Sequence, residues 1–323
     1  MNEPSQNYIR STRLTDIHEF RRIARAVDMD ITQLDAGAFD GELAQLKVRN
    51  VLASLTTSNR RLRLQGNVHF LTLSFAIQAS GSAKWCGISV GPSDVLAVNP
   101  DETFDVIIPP GASAYCISLV GNAEVTLRNL GGPALARKLS NTTHPIACDP
   151  DAVREMENWL VERFAGFGGD SDIENGLALD LEHEFLRRLA ACMRAGRTSS
   201  NNENSTSSGR IDVVRQVEQH ILDDLAIPQS VDDLCRVAGT SRRTLEYAFN
   251  ESFGTSPRRF TKALRLNAAR NDLLRSDSNS AQVVEIASGW GFTHMGQFST
   301  DYRQMFGEKP SETLRRSSTN GRV

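Results

Sequence analysis

The chain of 323 residues has little that would carry it out of the cytosol or cross-link it. No apolar run reaches the roughly 18 residues of a membrane span, and Met1–Arg13 holds no apolar core of the kind a secretory signal needs. A cytoplasmic protein with no membrane partner is expected. The 5 cysteines, Cys86, Cys116, Cys148, Cys192 and Cys235, are odd in number and scattered, and no CxxC occurs. That argues against a disulfide framework and against a cysteine-rich zinc site.

Signatures of catalysis are equally scarce. The 6 histidines, His18, His69, His144, His183, His220 and His294, include neither HxH nor HExxH. An open metal site needs clustered ligands, so His69 reads as a hydrogen-bonded structural histidine. Asp170–Asn175 begins like a calcium loop, but Asn175 stands where that loop needs glycine and Leu181 where it needs its closing glutamate. No GxxxxGK[ST], GxGxxG or GxSxG occurs. Neither a cofactor nor an enzyme activity is expected.

What the chain does have is length, 40% hydrophobic residues and a break. The length implies about two domains, each large enough for its own core. Thr198–Gly209, TSSNNENSTSSG, offers nothing to bury and reads as a flexible linker. Residues 1–197 and 210–323 are then the two domains, with 198–209 between them.

Charge is distributed unevenly. Residues 1–208 carry 20 Lys and Arg against 25 Asp and Glu, while residues 209–323 carry 16 against 14. Residues 241–275 alone hold 8 basic and 3 acidic side chains. A basic stripe suits a polyanion, although a solvated helix face has the same composition.

From Glu42 to Arg128 the texture is β-like. Val68–Phe75, Asp94–Val98, Thr103–Ile108 and Ala114–Val120 are short apolar runs punctuated by Gly, Pro and Asn, which predicts a sandwich or small barrel. Two helices follow. Asp151–Phe164 lines up Val153, Met156, Leu160 and Phe164, and Gly176–Met193 lines up Leu181, Phe185, Leu189 and Met193. Each stripe is either domain core or one side of a dimer.

After the linker the pattern is helical throughout: Ile211–Asp224, Val231–Ala238 behind Ser230 as N-cap, Ser241–Phe253, Pro257–Arg275, Ala281–Ser288, His294–Phe306 and a last turn from Pro310 to Arg316. Within it lies a repeat. Leu234, Gly239, Leu245, Phe249, Phe253, Gly254 and Pro257 are echoed by Ile286, Gly291, Phe298, Tyr302, Phe306, Gly307 and Pro310. The unit is helix, glycine turn, helix, the form whose second helix can enter a DNA major groove.

The solvent-side wheel of each second helix fits that use. Arg243, Glu246, Tyr247 and Asn250 share one face of the first, and Gly296, Ser299, Thr300 and Arg303 share the matching face of the second. Arg and Asn can bond purine edges, and Met295 or the Thr300 methyl can touch a thymine methyl. The helix between the motifs is about 28 Å long, near the roughly 34 Å between successive major grooves on one side of DNA. Arg258, Arg259, Lys262, Arg265 and Arg270 lie along it as phosphate contacts, solvated groups or partners of Asp272.

The stretches SRRTLEYAFNESFGTSPRRF, ALRLNAARNDLL and EIASGWGFTHMGQFSTDYRQMFGEKPSETLRR resemble the AraC/XylS family of bacterial transcription regulators. Within it they are most similar to the branch of the aromatic-degradation activators and the ethanolamine-utilisation regulator. Leu34–Glu42 also resembles the start of that branch's sensor domain. The resemblance covers about the last third of the chain. It implies a cupin-like sensor and dimerisation barrel before an all-α domain of two helix-turn-helix motifs joined by a linker helix. It matches Arg242, Arg243, Glu246 and Tyr247, and then Met295, Gly296, Gln297, Ser299 and Thr300, to DNA-reading positions; many members have arginine at the place of Thr300 and a long polar residue at that of Gly296. A DNA-repair methyl acceptor with a similar DNA-binding domain would need an N-terminal cysteine cluster, and the first cysteine is Cys86.

The function implied is a DNA-binding regulator, an activator of a catabolic or metabolic operon, with promoter DNA, RNA polymerase, a small-molecule inducer and a second copy of itself as partners. The alternatives are a cupin-type enzyme tethered to DNA and an activator that needs no ligand. An inducer pocket would lie in the β-domain, with Phe70, Trp85, Phe104 and Tyr115 as apolar walls and Arg49, Arg61, Arg63 or Lys84 as partners for an anion.

Overall fold

The computed structural model describes residues 7–24, 27–77, 83–100, 102–139, 145–166, 170–194, 197–198, 205–277 and 280–320. The chain forms two compact units. One comprises Met1–Ile31, Asp40–Asn59 and Leu64–Asn201; the other comprises Thr32–Phe39, Arg60–Arg63 and Asn202–Val323. The second unit therefore takes in two short pieces from early in the chain as well as the helical C-terminal stretch.

The first unit opens with β1 (Tyr8–Leu14), α1 (Ile17–Ile23), β2 (Val27–Gln33), β3 (Gly41–Val48), β4 (Val51–Ser58), β5 (Leu62–Val68) and β6 (Thr72–Ile77). It continues through β7 (Lys84–Trp85), β8 (Ile88–Ser89), β9 (Asp94–Val98), β10 (Thr103–Ile108), β11 (Ala112–Leu119), α2 (Ala123–Leu139), β12 (Ile146–Ala147), α3 (Pro150–Gly166), β13 (Ser171–Asp172), α4 (Asn175–Arg194) and β14 (Arg197–Thr198). The strands form a nine-stranded sheet, β13-β1-β3-β4-β11-β6-β9-β12-β14, and a five-stranded sheet, β2-β5-β10-β7-β8. Among the described residues neither sheet closes on itself, so the β-rich expectation takes the form of open sheets rather than a closed barrel.

Strand alternation sorts the side chains of the larger sheet. Val51, Ala53, Leu73, Phe75, Tyr115 and Ile117 are buried on the face that packs with Met156, Trp159 and Leu160 of α3 and Leu181, Phe185 and Leu189 of α4. Burial pushes the Tyr115 hydroxyl up to about 12. The apolar stripe of α4 is thus consumed inside the unit, and a dimer built on that stripe is not what it provides. The β-like texture expected as far as Arg128 ends at Leu119, because Ala123–Leu139 is helical. The helix is interrupted where Gly132 takes a φ of 70° before Pro133, and its GGP reads locally as a turn. The run Val68–Phe75 is two strands, since β5 ends at Val68 and β6 begins at Thr72.

The helices of the second unit are α5 (Ser205–Asp223), α6 (Val231–Ala238), α7 (Arg242–Phe253), α8 (Pro257–Arg275), α9 (Val283–Gly289), α10 (Met295–Phe306) and α11 (Pro310–Asn320). They follow the helical expectation closely. The first turn of α5 overlaps the end of the stretch expected as linker, and residues 199–204 lie outside the described residues. Leu245, Ala248, Phe249 and Phe253 of α7 and Phe298, Tyr302, Met305 and Phe306 of α10 are buried, so the apolar positions of the repeat are its core.

Candidate nucleic-acid interface

Local signals set the first motif. Ser230 and Asp233 make a reciprocal capping box at the start of α6, with the Asp233 amide donating to the Ser230 hydroxyl at 3.1 Å and the Ser230 amide to the Asp233 carboxylate at 3.0 Å. Gly239 closes α6 in the left-handed region, and Ser241 caps α7 by accepting from the Thr244 amide at 3.2 Å. Gly254 ends α7 at a φ of 65°, and a Cβ there would sit 2.6 Å from the Arg61 guanidinium carbon. Its conformation calls for glycine.

Arg242, Arg243, Tyr247 and Asn250 are exposed on α7 and Glu246 is half-buried. Arg242 is paired with Glu246 at 3.1 Å, which leaves Arg243 as the guanidinium on this face with no carboxylate beside it among the described residues. Tyr247 is 58% exposed and carries the Arg210 guanidinium 5.3 Å from its ring centre. Arg210 also bonds Glu251 at 2.8 Å. It is a cation supplied by α5 at the edge of the outward polar face of α7, and its place beside α7 has no local signal in the sequence.

The second motif repeats the shape with other means. Neither Gln282 before α9 nor His294 before α10 makes a side-chain cap. Gly291 turns at a φ of 77°, and a Cβ there would meet the Ala226 carbonyl at 2.0 Å. Gly296, Gln297, Ser299, Thr300 and Arg303 are exposed and Met295 half-buried. The Thr300 hydroxyl donates to the Gly296 carbonyl at 2.9 Å and Gln297 to Asp301 at 3.0 Å, so two of these groups are engaged within their own helix. Asp301 also takes Lys262 of α8 at 3.0 Å. Tyr302, its hydroxyl pushed up to about 12 by burial, donates to Thr313 at 2.9 Å.

The basic helix α8 is largely spoken for. Arg270 is buried, lies over Phe306 at 4.6 Å and pairs with Glu308 at 2.6 Å, which also takes Arg316 at 2.7 Å and the Thr313 hydroxyl at 2.6 Å. Arg265 donates to the Leu225 carbonyl at 2.6 Å and to the Ile227 carbonyl, closing the chain after α5. Asp272 accepts from the Trp290 indole at 2.7 Å and, among the described residues, not from an arginine. Arg258 and Arg259 remain exposed, with no carboxylate partner among the described residues. The stripe of the sequence therefore reduces to a few outward cations.

Two early segments complete this unit. The side-chain amide of Asn267 on α8 pairs with the backbone of Gln33 in both directions, at 3.1 and 2.9 Å. The Gln33 side chain donates to the Met305 carbonyl of α10 at 2.7 Å. Arg63 is buried, pairs with Glu218 of α5 and lies over Phe253 and Phe260. Arg61 donates to the Gly254 carbonyl at 2.9 Å. Arg61 and Arg63, two of the four cations expected as ligand partners, are thus structural members of the helical unit.

The remaining ligand expectations fall in the first unit. Trp85 and Phe104 line a cavity of about 460 Å³, whereas Phe70 and Tyr115 do not. Arg49 pairs with Glu182 at 2.8 Å and Lys84 donates to Ser89 at 2.8 Å, and neither lines that space.

A family model described as a helix-turn-helix domain matches residues 234–316, from the end of α6 through α11. A solved structure titled as a probable AraC family transcriptional regulator from Rhodopseudomonas palustris is 43% identical over 33% of this chain and 97% of its own, with a TM-score of 0.30. The chain belongs to the AraC/XylS family of transcription regulators. Among its relatives, the protein named "Probable thc operon regulatory protein" of Rhodococcus erythropolis is 48% identical over 27% of this chain and 26% of its own length. The protein named XylDLEGF operon transcriptional activator 3 of Pseudomonas putida is 26% identical over 73% of this chain and 70% of its own. The chain thus matches about a quarter of the first relative and most of the second. The AraC/XylS assignment accounts for the paired helix-turn-helix motifs within residues 234–316.

Proposed function

We propose that the chain activates transcription of a metabolic operon, with α7 and α10 reading two successive major-groove segments and Arg259 contacting phosphate. One observation carries this reading: both repeats bury their apolar positions and turn the matching polar faces outward. The relatives named as operon activators support the direction of regulation. The apolar cavity of the first unit supports an inducer bound there, which favours a ligand-responsive regulator over one that only dimerises. RNA polymerase is the partner that activation requires. A second copy is the partner proposed for the exposed Val125, Leu130, Val161, Leu177 and Leu179 of α2 to α4.

Genome-wide mapping of binding sites tests the proposal. Discrete promoter sites beside metabolic genes are expected; even occupancy without a shared sequence would overturn it. On such a site Arg259→Ala should weaken all sequences alike and flatten the dependence of log K on log salt by about one unit.

A further inference from the structure

The cavity of the first unit has two unlike walls. The five-stranded sheet contributes Met29, Leu64, Trp85 and Phe104. On the nine-stranded sheet, Gln45 pairs in register with Ser54, Ser54 with Cys116 and Cys116 with Ser74, and all four line the cavity. Because side chains alternate along a strand, this row across β3, β4, β11 and β6 points one way together. It forms a band of hydrogen-bonding groups, beside which Thr56, Thr72, Ser113 and Ser118 also line the space. Ser74 and Cys116 bond each other at 3.2 Å. No hydrogen bond from the Gln45 amide or the Ser54 hydroxyl to another described group is found, so both are available to a ligand.

No lysine, arginine or histidine lines the space among the described residues, and its one charged group is Glu157. Burial pushes that carboxyl up. An anionic ligand would lose its hydration, find no cation and face a carboxyl group. A neutral ligand loses far less hydration and needs no cation, since one polar group can be met by a hydrogen bond.

We infer that the cavity selects a neutral, flat, mainly apolar molecule with a hydroxyl, carbonyl or amide group on one edge, and rejects carboxylates. The ring packs between Trp85, Phe104 and the aliphatic wall, and the polar edge bonds the row at Gln45 and Ser54. This rests on the proposed reading of the cavity as the inducer site and adds the ligand's class, against the sequence expectation of an anion held by arginine or lysine.

Calorimetric titration of the full chain with 2-naphthalenemethanol and with 2-naphthoate, nearly equal in shape, tests it. The alcohol should bind at least about 100-fold more tightly. Ser54→Ala should weaken the alcohol about 3- to 10-fold, as loss of one hydrogen bond does. Gln45→Lys should move preference toward naphthoate by giving the carboxylate a partner. If naphthoate binds the unaltered chain as well as the alcohol does, the class is wrong while the cavity stays a ligand site. If neither compound binds, the reading of the cavity as a ligand site fails and the inference falls with it.

Discussion

The two helix-turn-helix motifs share a shape and differ in nearly everything that holds and equips it. The first is capped by side chains, Ser230 with Asp233 and then Ser241, and is packed by the aromatic trio Phe249, Phe253 and Phe260. The second has no side-chain caps at α9 and α10. It relies instead on Glu308, which gathers Arg270, Arg316 and Thr313. The first turns the long side chains of Arg243, Tyr247 and Asn250 outward, and the second turns out Gly296, Ser299 and Thr300 beside Arg303. The repeat thus preserves apolar positions and glycine turns, which determine how the helices pack. Caps vary because several local solutions satisfy the same helix ends.

The sharpest break in that comparison is Glu308→Ala. It takes the carboxylate away from the Arg270 guanidinium, 5% exposed, and breaking a buried ion pair is costly. A loss of about 3 kcal/mol in denaturant unfolding is expected; a loss below about 1 kcal/mol would mean that the network is not what holds the second motif. Next, Arg243→Ala should cost about 1–3 kcal/mol of DNA binding and relax preference at one base position. Titration on single-base variants of a mapped site checks this, and unchanged base preference would remove Arg243 from the reading face.

Smaller effects sharpen the contrast in capping. Ser230→Ala and Ser241→Ala should each cost about 1 kcal/mol of stability, while Gln282→Ala and His294→Ala should cost little, since neither side chain caps its helix. Equal losses in the two motifs would erase the difference. Smallest is Thr300→Ala, at most about 1 kcal/mol in DNA binding. Its hydroxyl already donates to the Gly296 carbonyl. Were it more damaging than Arg243→Ala, the second helix would be the principal reader.

Much of the interface was legible in the sequence. Ser230 and Ser241 stand one residue before their helices, Pro257 opens α8, and Gly254 and Gly307 close α7 and α10 as the repeat implies. The polar faces were readable because an apolar stripe at helical spacing specifies its opposite side. The charge on α8 was not: a run of arginines looks the same whether each meets water, phosphate or a distant carboxylate. In the first unit, α2 was hidden behind Gly131, Gly132 and Pro133, and the α4 stripe fitted both core and dimer readings until its neighbours in the core were known.

The sequence by itself determined the helices of the second unit, their caps and turns, the doubling of the motif and the outward face of each second helix. All of these depend on residues within about four positions of one another or on the spacing of one repeat. Only the tertiary structure decided that Arg63 and Gln33 serve the helical unit, that Arg265 and Arg270 are spent internally, and that Gln45, Ser54, Cys116 and Ser74 form one polar row. Those facts join groups far apart along the chain. Which charges and hydroxyls become partners depends on strand register and packing, and these carry no short-range signal.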